Sequence, residues 1–137
     1  MYRQEFVIAR EDYANAGKTS SSIKSLLKQL SIPSEILRRI AVACYEAEIN
    51  LIIHSYGGII TLEIMDDGQV VLSFDDKGPG IKDIEKAMTP GFSTASKTAR
   101  EFGFGAGMGL PNIKRVSDTF ELKTSEQGTH LKIGFKI

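Results

Sequence analysis

The sequence predicts an α+β fold, a two-layer sandwich in which helices cover one face of a mixed, mostly antiparallel sheet. Three observations support this prediction. Two segments with apolar residues at helical spacing come early in the chain, and two pairs of β-rich segments are each joined by a hairpin signal. The length of 137 residues is enough for one hydrophobic core, so we expect a single domain over residues 1–137.

The composition excludes several classes of function. Seventeen basic and seventeen acidic residues give no net charge, so nothing in the charge balance indicates binding to nucleic acid or to an anionic membrane. The longest strongly apolar run, near residues 49–53, is far shorter than the roughly 20 residues that cross a bilayer. One cysteine, Cys44, excludes an internal disulfide, and we interpret it as a core residue. No signal peptide is found, and we expect a cytoplasmic protein.

The first third of the chain predicts one strand and two helices. Residues 2–9 partly alternate between polar and apolar and predict the strand. Apolar residues at helical spacing predict a helix over 12–30, with Asp12 as its N-cap. Pro33 breaks this pattern, and a second, more apolar helix is predicted over 35–55.

Four further segments rich in β-branched and apolar residues predict strands, and they cover residues 59–65, 70–74, 120–124 and 131–135. Turn signals at 66–69 and 126–128 join them into two hairpins. Between the hairpins, residues 83–88 predict a short helix and residues 109–116 a longer one. Residues 89–107 mix Gly, Ser, Thr and Ala without periodicity. A loop of this length is uncommon in a compact domain unless it is functional, so we expect a lid.

The segment Gly17-Lys18-Thr19 invites comparison with a phosphate-binding loop, but the pattern does not fit. Such a loop needs a glycine five positions before Gly17, where this chain has Asp12. The segment also lies in a predicted helix and not in a strand-to-helix turn. We therefore interpret it as a solvated helix surface.

The second predicted helix carries an unusual pair of polar residues. Glu46 and Asn50 are four residues apart and lie on one face, and His54, which we interpret as structural, continues the line. An ionised glutamate in an apolar stretch is costly unless it is paired or faces a wet cleft. A buried hydrogen-bonding pair or a solvent-facing stripe explains the pattern equally well. Glu48, about 200° around the helix from Glu46, is predicted to face solvent.

Two glycine-rich motifs follow. Asp76-x-Gly78-x-Gly80 comes directly after a predicted strand, where the glycines allow a tight turn and close approach of a planar ligand. Residues 103–110, GFGAGMGL, run into a predicted helix, whose free N–H groups suit a polyphosphate. Each motif alone is weak evidence for a ligand site, because aspartate and glycine are common in turns and glycines can also form a hinge.

Taken together, the three motifs resemble the N, G1 and G2 boxes of the Bergerat-fold (GHKL) ATPases, the superfamily of gyrase, histidine kinases and mismatch-repair ATPases. The matching segments are EAEINLIIH at 46–54, DKGPGI at 76–81 and GAGMGL at 105–110, and Gly128-Thr129 looks like the closing Gly-Thr of that superfamily. The resemblance covers about residues 5–137. The short length and the position of Glu46 look most like the anti-sigma regulatory factors and switch serine/threonine kinases. Residues 78–94 resemble the stressosome switch-kinase branch, although residues 97–104 are longer than that branch leads us to expect.

The resemblance implies a site for ATP and Mg²⁺. Asn50 would hold the metal, Asp76 would accept the adenine amine, and Glu46 would be the general base of phosphoryl transfer. The implied nucleotide-binding residues are Asn50, Asp76, Gly78, Gly80, Gly105, Ala106, Gly107, Met108, Gly109 and Thr129. Thr129 would act through its hydroxyl, and Lys97 or Arg100 would contact the γ-phosphate.

The implied function is that of a Mg·ATP-dependent serine/threonine protein kinase in a partner-switching pathway. Its substrate would be a small, folded regulatory protein that resembles an anti-sigma factor antagonist, with no nucleic acid or membrane as partner. The alternative is an ATP-binding anti-sigma factor or interaction module without kinase activity. A third interpretation, the ATPase domain of a sensor kinase acting on a histidine, is disfavoured because we find no phosphoacceptor helix. A sigma factor as partner and a homodimer are left open.

Overall fold

A computed structural model describes residues 1–78, 88 and 109–137. The elements in this part of the chain are β1 (Tyr2–Ile8), a 3₁₀ turn (Tyr13–Asn15), α1 (Lys18–Gln29), α2 (Ser34–His54), β2 (Gly58–Ile64), β3 (Val70–Asp76), α3 (Gly109–Val116), β4 (Thr119–Ser125) and β5 (Gly128–Phe135). Most of the predicted short helix over 83–88 and the whole predicted lid over 89–107 lie outside the described residues. Within them, no helix is long and apolar enough to span a membrane.

The strands form one five-stranded sheet in the order β1-β2-β3-β5-β4. Each of the four neighbouring pairs is antiparallel. The two predicted hairpins are present as β2–β3 and β4–β5, and the pairing of β3 with β5 joins them at the centre of the sheet. The α+β prediction is therefore confirmed, with only antiparallel pairs in the described part of the sheet.

One face of the sheet and the helices share a single apolar core. Alternation along the strands places Ile60, Leu72 and Ile133 in this core, where they meet Leu27 of α1 and Ile113 of α3. Each side chain of this size contributes about 1.5–3 kcal/mol when it is fully buried. Cys44 also belongs to the core, as predicted, and its burial raises the pKa of the thiol.

The opposite face of the sheet carries many charged side chains, together with a few apolar ones such as Val7, Ile59 and Val71. The residues that alternate with the core residues include Arg3, Glu5, Glu63, Asp75, Glu121, Lys123, His130 and Lys132. His130 contacts Asp75 across the β3–β5 pair. The helices therefore cover one face of the sheet, and charged side chains occupy the other.

The start of α1 corrects two predictions. The helix begins at Lys18 and not near Asp12, and its N-cap is Gly17 at φ +90°. The carboxylate of Glu48 accepts hydrogen bonds from the backbone N–H groups of Gly17, at 3.1 Å, and Ser20, at 2.8 Å. Glu48 is 1% exposed, so the prediction that it faces solvent was wrong. The physical reason is that the first N–H groups of a helix lack partners within the helix, and two such donors offset the cost of burying a carboxylate.

Candidate functional site

The first part of the site lies where α2 meets the beginning of α3. Glu46 and Asn50 are partly buried on one face of α2, and Gly109 is the first residue of α3. A β-carbon at Gly109 would lie 3.1 Å from both terminal atoms of the Asn50 side chain and 3.4 Å from Oε2 of Glu46. The absence of a side chain at Gly109 thus lets α3 begin directly against these two polar groups.

Glu46 is held in an unfavourable environment for a charge. Burial raises the pKa of its carboxyl group above the ordinary value. Among the described residues, no basic side chain forms an ion pair with it. Such a carboxylate is suited to a site where a cation or a proton is bound during function.

The start of α3 is suited to an anion. The N–H groups of the first helical turn have no partners within the helix, and the helix dipole adds partial positive charge there. Asn50 and Glu46 lie beside these groups. Mg²⁺ prefers oxygen ligands and bridges phosphates, so the Asn50 amide oxygen fits a metal whose other ligands come from a nucleotide and water. In the described part of the chain, no cluster of three or more His, Cys, Asp or Glu could hold a metal on its own.

The second part of the site is the end of β3, where Asp76 is fixed by backbone donors. Its Oδ1 accepts hydrogen bonds from the N–H groups of Gly78, at 3.0 Å, and Thr129, at 2.7 Å. Both bonds use the same oxygen, so Oδ2 has no hydrogen-bond donor among the described residues. A carboxylate anchored in this way presents one acceptor in a defined direction, which is what recognition of an amino group requires.

Thr129 supports Asp76 through its backbone. Its hydroxyl oxygen lies 2.9 Å from that of Thr124, its partner across the β4–β5 pair. Gly128 also lies close to Asp76, because a β-carbon there would be 2.3 Å from the Asp76 carbonyl oxygen. The structure therefore links Thr129 to the site by its N–H group, while a role for its hydroxyl towards a ligand stays a prediction.

The loop after β3 is tied to the loop after α2. The Gly78 carbonyl accepts the N–H of Tyr56 at 2.8 Å, and Lys77 N–H donates to the Gly57 carbonyl at 3.1 Å. Gly78 has φ +102°, and a β-carbon there would lie 3.2 Å from the Glu126 carbonyl oxygen. Tyr56 and Gly57 were not among the predicted site residues. The signal available was the Gly57-Gly58 pair, which follows the helix predicted over 35–55.

Several predicted site residues lie outside the described part of the chain, and their roles stay predictions. They are Gly80, Lys97, Arg100, Gly105, Ala106, Gly107 and Met108. Of the predicted residues that are described, Glu46, Asn50 and Gly109 come together at one place, and Asp76, Gly78 and Thr129 at another.

The antiparallel sheet with helices on one face is a fold of the Bergerat (GHKL) ATPase type. The model of the family described as histidine kinase-like ATPase domain matches residues 9–135. The chain therefore belongs to this family.

Curated relatives extend the comparison. The chain is 34% identical over 113 residues to the serine/threonine-protein kinase RsbT of Bacillus subtilis (strain 168), which covers 80% of this chain and 79% of the relative. It is also 34% identical over 116 residues to an anti-sigma F factor of Thermoanaerobacter sp. (strain X514), covering 81% of this chain and 78% of the relative.

A solved structure shares the fold. The crystal structure of the RsbU and RsbW domains of Rv1364c from Mycobacterium tuberculosis matches with a TM-score of 0.68 at 15% identity. The match covers 99% of this chain and 32% of that longer one.

Proposed function

We propose that this protein is a Mg·ATP-dependent serine/threonine protein kinase that phosphorylates a folded regulatory protein in a partner-switching pathway. The observation that carries the proposal is the position of Glu46. Its partly buried carboxyl group, with a raised pKa, lies one helical turn from Asn50 and against the start of α3. A general base works best when its pKa lies near the operating pH, and burial moves Glu46 in that direction.

Each described residue has a role in this proposal. Oδ2 of Asp76, which has no donor among the described residues, accepts a hydrogen bond from the adenine amine, and the N–H groups at the start of α3 contact the phosphates. Asn50 would hold Mg²⁺, and the metal would supply positive charge at the phosphates. Glu46 takes the proton from a serine or threonine hydroxyl. The hydroxyl oxygen then forms a bond to the γ-phosphorus as the bond to the β–γ bridging oxygen breaks, leaving ADP.

The proposed partner is a small folded protein that resembles an anti-sigma factor antagonist, because relatives of this chain are named as a serine/threonine-protein kinase and as anti-sigma F factors. We place the protein in the cytoplasm. A sigma factor as a second partner and a homodimer remain open within this proposal.

The similarity to anti-sigma F factors favours one alternative, an ATP-dependent binding module without kinase activity. Glu46 separates the two functions, since only the kinase needs a base. The test combines the purified chain, γ-labelled Mg·ATP and each antagonist-like protein encoded in the same genome. Transfer of label to a serine or threonine of one of them supports the kinase. ATP-dependent binding of such a protein without transfer supports the binding module.

Two variants refine this test. Glu46→Gln keeps the size of the side chain but removes the base, so it is expected to bind Mg·ATP and to lose about 10²–10⁴-fold in transfer rate. Asn50→Ala removes the metal ligand, so nucleotide affinity and transfer are both expected to fall. Glu5→Gln, on the exposed face of β1, is the matched control and changes neither. Equal transfer by wild type and Glu46→Gln would exclude Glu46 as the base.

A further inference from the structure

Arg39 joins three elements at the end of α3 that is remote from the site. Its Nε donates to the carbonyl of Val116, the last residue of α3, at 2.8 Å. One of its terminal nitrogens donates to Oδ1 of Asp118 at 2.9 Å. Asp118 in turn accepts the N–H of Lys136 at 2.7 Å, and its own N–H donates to the Gly134 carbonyl at 3.0 Å. The guanidinium group thus connects α2 to the end of α3 and to the end of β5.

The two ends of α3 meet α2 at matching positions. Gly109 lies against Glu46, and Val116 is bound by Arg39, so the two helices run in opposite directions. Arg39 and Glu46 are seven positions apart, as are Gly109 and Val116, and seven positions span about 10.5 Å along a helix. The contacts at the two ends therefore specify one register of α3 along α2.

A helix of eight residues needs such contacts. Short helices are not stable on their own and take their position from tertiary packing. Arginine is suited to this place because its planar fork donates in two directions at once, to a carbonyl and to a carboxylate, whereas lysine is a single point charge.

We propose that Arg39 is a positioning residue for the nucleotide site, which holds the start of α3 at Glu46 and Asn50 by binding its other end. The inference rests on the proposed ATP-binding function. The Arg39 and Asp118 side chains are 31% and 28% exposed, so solvent screens their ion pair in part and limits its contribution to overall stability. Loss of Arg39 is therefore expected to affect mainly the binding of the phosphates, because a displacement of the start of α3 by about 1 Å can have a large effect at the site.

The test compares binding of Mg·ATP with binding of adenosine, measured by calorimetry and by NMR titration. Adenosine would bind at Asp76, whose position is set by β3 and β5. Because adenosine has no phosphates, its binding does not need the start of α3. Arg39→Met keeps the apolar stem and removes the fork. It is expected to weaken Mg·ATP binding by about tenfold or more while adenosine binding changes little. A general loss of structure would weaken both ligands together, so the ratio of the two affinities separates positioning from stability.

The neighbouring Arg38 provides the matched control, because it lies on the same helix and is exposed. Arg38→Met makes the same change in charge and should leave the ratio of the Mg·ATP and adenosine affinities unchanged. Arg39→Lys keeps the charge and loses the fork, so the same selective loss is expected even if Arg39→Met does not fold. If folded Arg39→Lys and Arg39→Met both retain the wild-type ratio, the positioning role is wrong while the proposed ATP site stands. A wild-type chain that binds no nucleotide overturns both proposals.

Discussion

The N–H of Thr129 donates to Oδ1 of Asp76 at 2.7 Å, although 53 residues separate the two in the sequence. The pairing of β3 with β5 makes this contact. Gly78 donates to the same oxygen from the following loop, so two separate segments orient one carboxylate. The direction of the other oxygen of Asp76, Oδ2, therefore depends on the close approach of β5.

Substitution of Gly128 is expected to disturb this approach. Gly128→Ala places a β-carbon 2.3 Å from the Asp76 carbonyl oxygen, so one of the two strands must shift. We expect ATP affinity to fall by at least about tenfold, as for other small displacements at a site, in titration calorimetry. The control is Gly68→Ala in the β2–β3 turn, where φ is also positive at +90° but no atom lies within 4 Å. It is expected to cost about 1–2 kcal/mol of stability, because an L-residue is disfavoured at positive φ, with no change in ATP affinity. Equal ATP affinities for the two variants would contradict the role of Gly128.

Oδ2 of Asp76, to which no residue in the described part of the chain donates, predicts selectivity for adenine. Guanine carries a carbonyl oxygen where adenine carries its amine, so Asp76 would face another acceptor. We expect ATP to bind more tightly than GTP by about 1–3 kcal/mol. Thermal stabilisation by the two nucleotides at equal concentration measures this difference. Asp76→Asn keeps an oxygen for the Gly78 and Thr129 donors, so its apo form should melt near the wild-type temperature and yet bind ATP weakly. Similar stabilisation by ATP and GTP would place the adenine elsewhere.

The sequence predicted those features that depend on neighbouring residues. The β-branched and apolar residues over 70–74 lie in β3, and the turn signal at 66–69 lies in the β2–β3 hairpin. The four-residue spacing of Glu46 and Asn50 puts them on one face of α2. The contact of both with Gly109 depends on the packing of α3 on α2, which no local pattern describes. The elements that carry these residues were therefore predictable, while the contact between α2 and the start of α3 required the structure.

The error at α1 has the same origin. Asp12 was predicted as the N-cap of α1 from the neighbouring residues alone, but its side chain accepts hydrogen bonds from Asn15. The cap comes from Glu48, 31 residues after Gly17. A glutamate on an apolar helix indicated that a partner was required, and the sequence did not show whether that partner was solvent, metal or a helix terminus.

Removal of this remote cap is expected to destabilise the fold. Glu48→Ala leaves the N–H of Ser20 buried without an acceptor, which costs about 1–3 kcal/mol of unfolding free energy, and Glu48→Gln, which keeps one oxygen, should cost less. Urea denaturation measures both values. Glu5→Ala, an exposed glutamate on β1, is the control and should lie within about 0.5 kcal/mol of wild type. A denaturation midpoint of Glu48→Ala equal to that of the control would show that the cap is not needed.

Glu46 predicts opposite pH trends in stability and in activity. Its carboxyl pKa is raised by burial in the folded chain, so the folded state holds this proton more tightly than the unfolded state. The contribution of protonated Glu46 to the free energy of unfolding is fully present below the pKa that Glu46 has in the unfolded chain. It is lost as the pH rises through the pKa of Glu46 in the folded chain. Glu46→Gln, which cannot ionise, should therefore become more stable than wild type as the pH rises, and the difference should vanish in acid. Urea denaturation of the apo protein at several pH values measures it.

The rate of phosphoryl transfer should change in the other direction, because the base acts only after it has lost its proton. We expect kcat/KM to rise through the same raised pKa, since this ratio reports ionisations of the free enzyme. The residual activity of Glu46→Gln should not show this rise, whereas Glu5→Gln should keep it. A rise of kcat/KM at the pH of an ordinary glutamate, or a rise that survives in Glu46→Gln, would assign the proton transfer to another group. If both pH trends are lost in Glu46→Gln, the same carboxyl group has two effects. Its ionised form is the one that catalysis needs, and that form destabilises the fold.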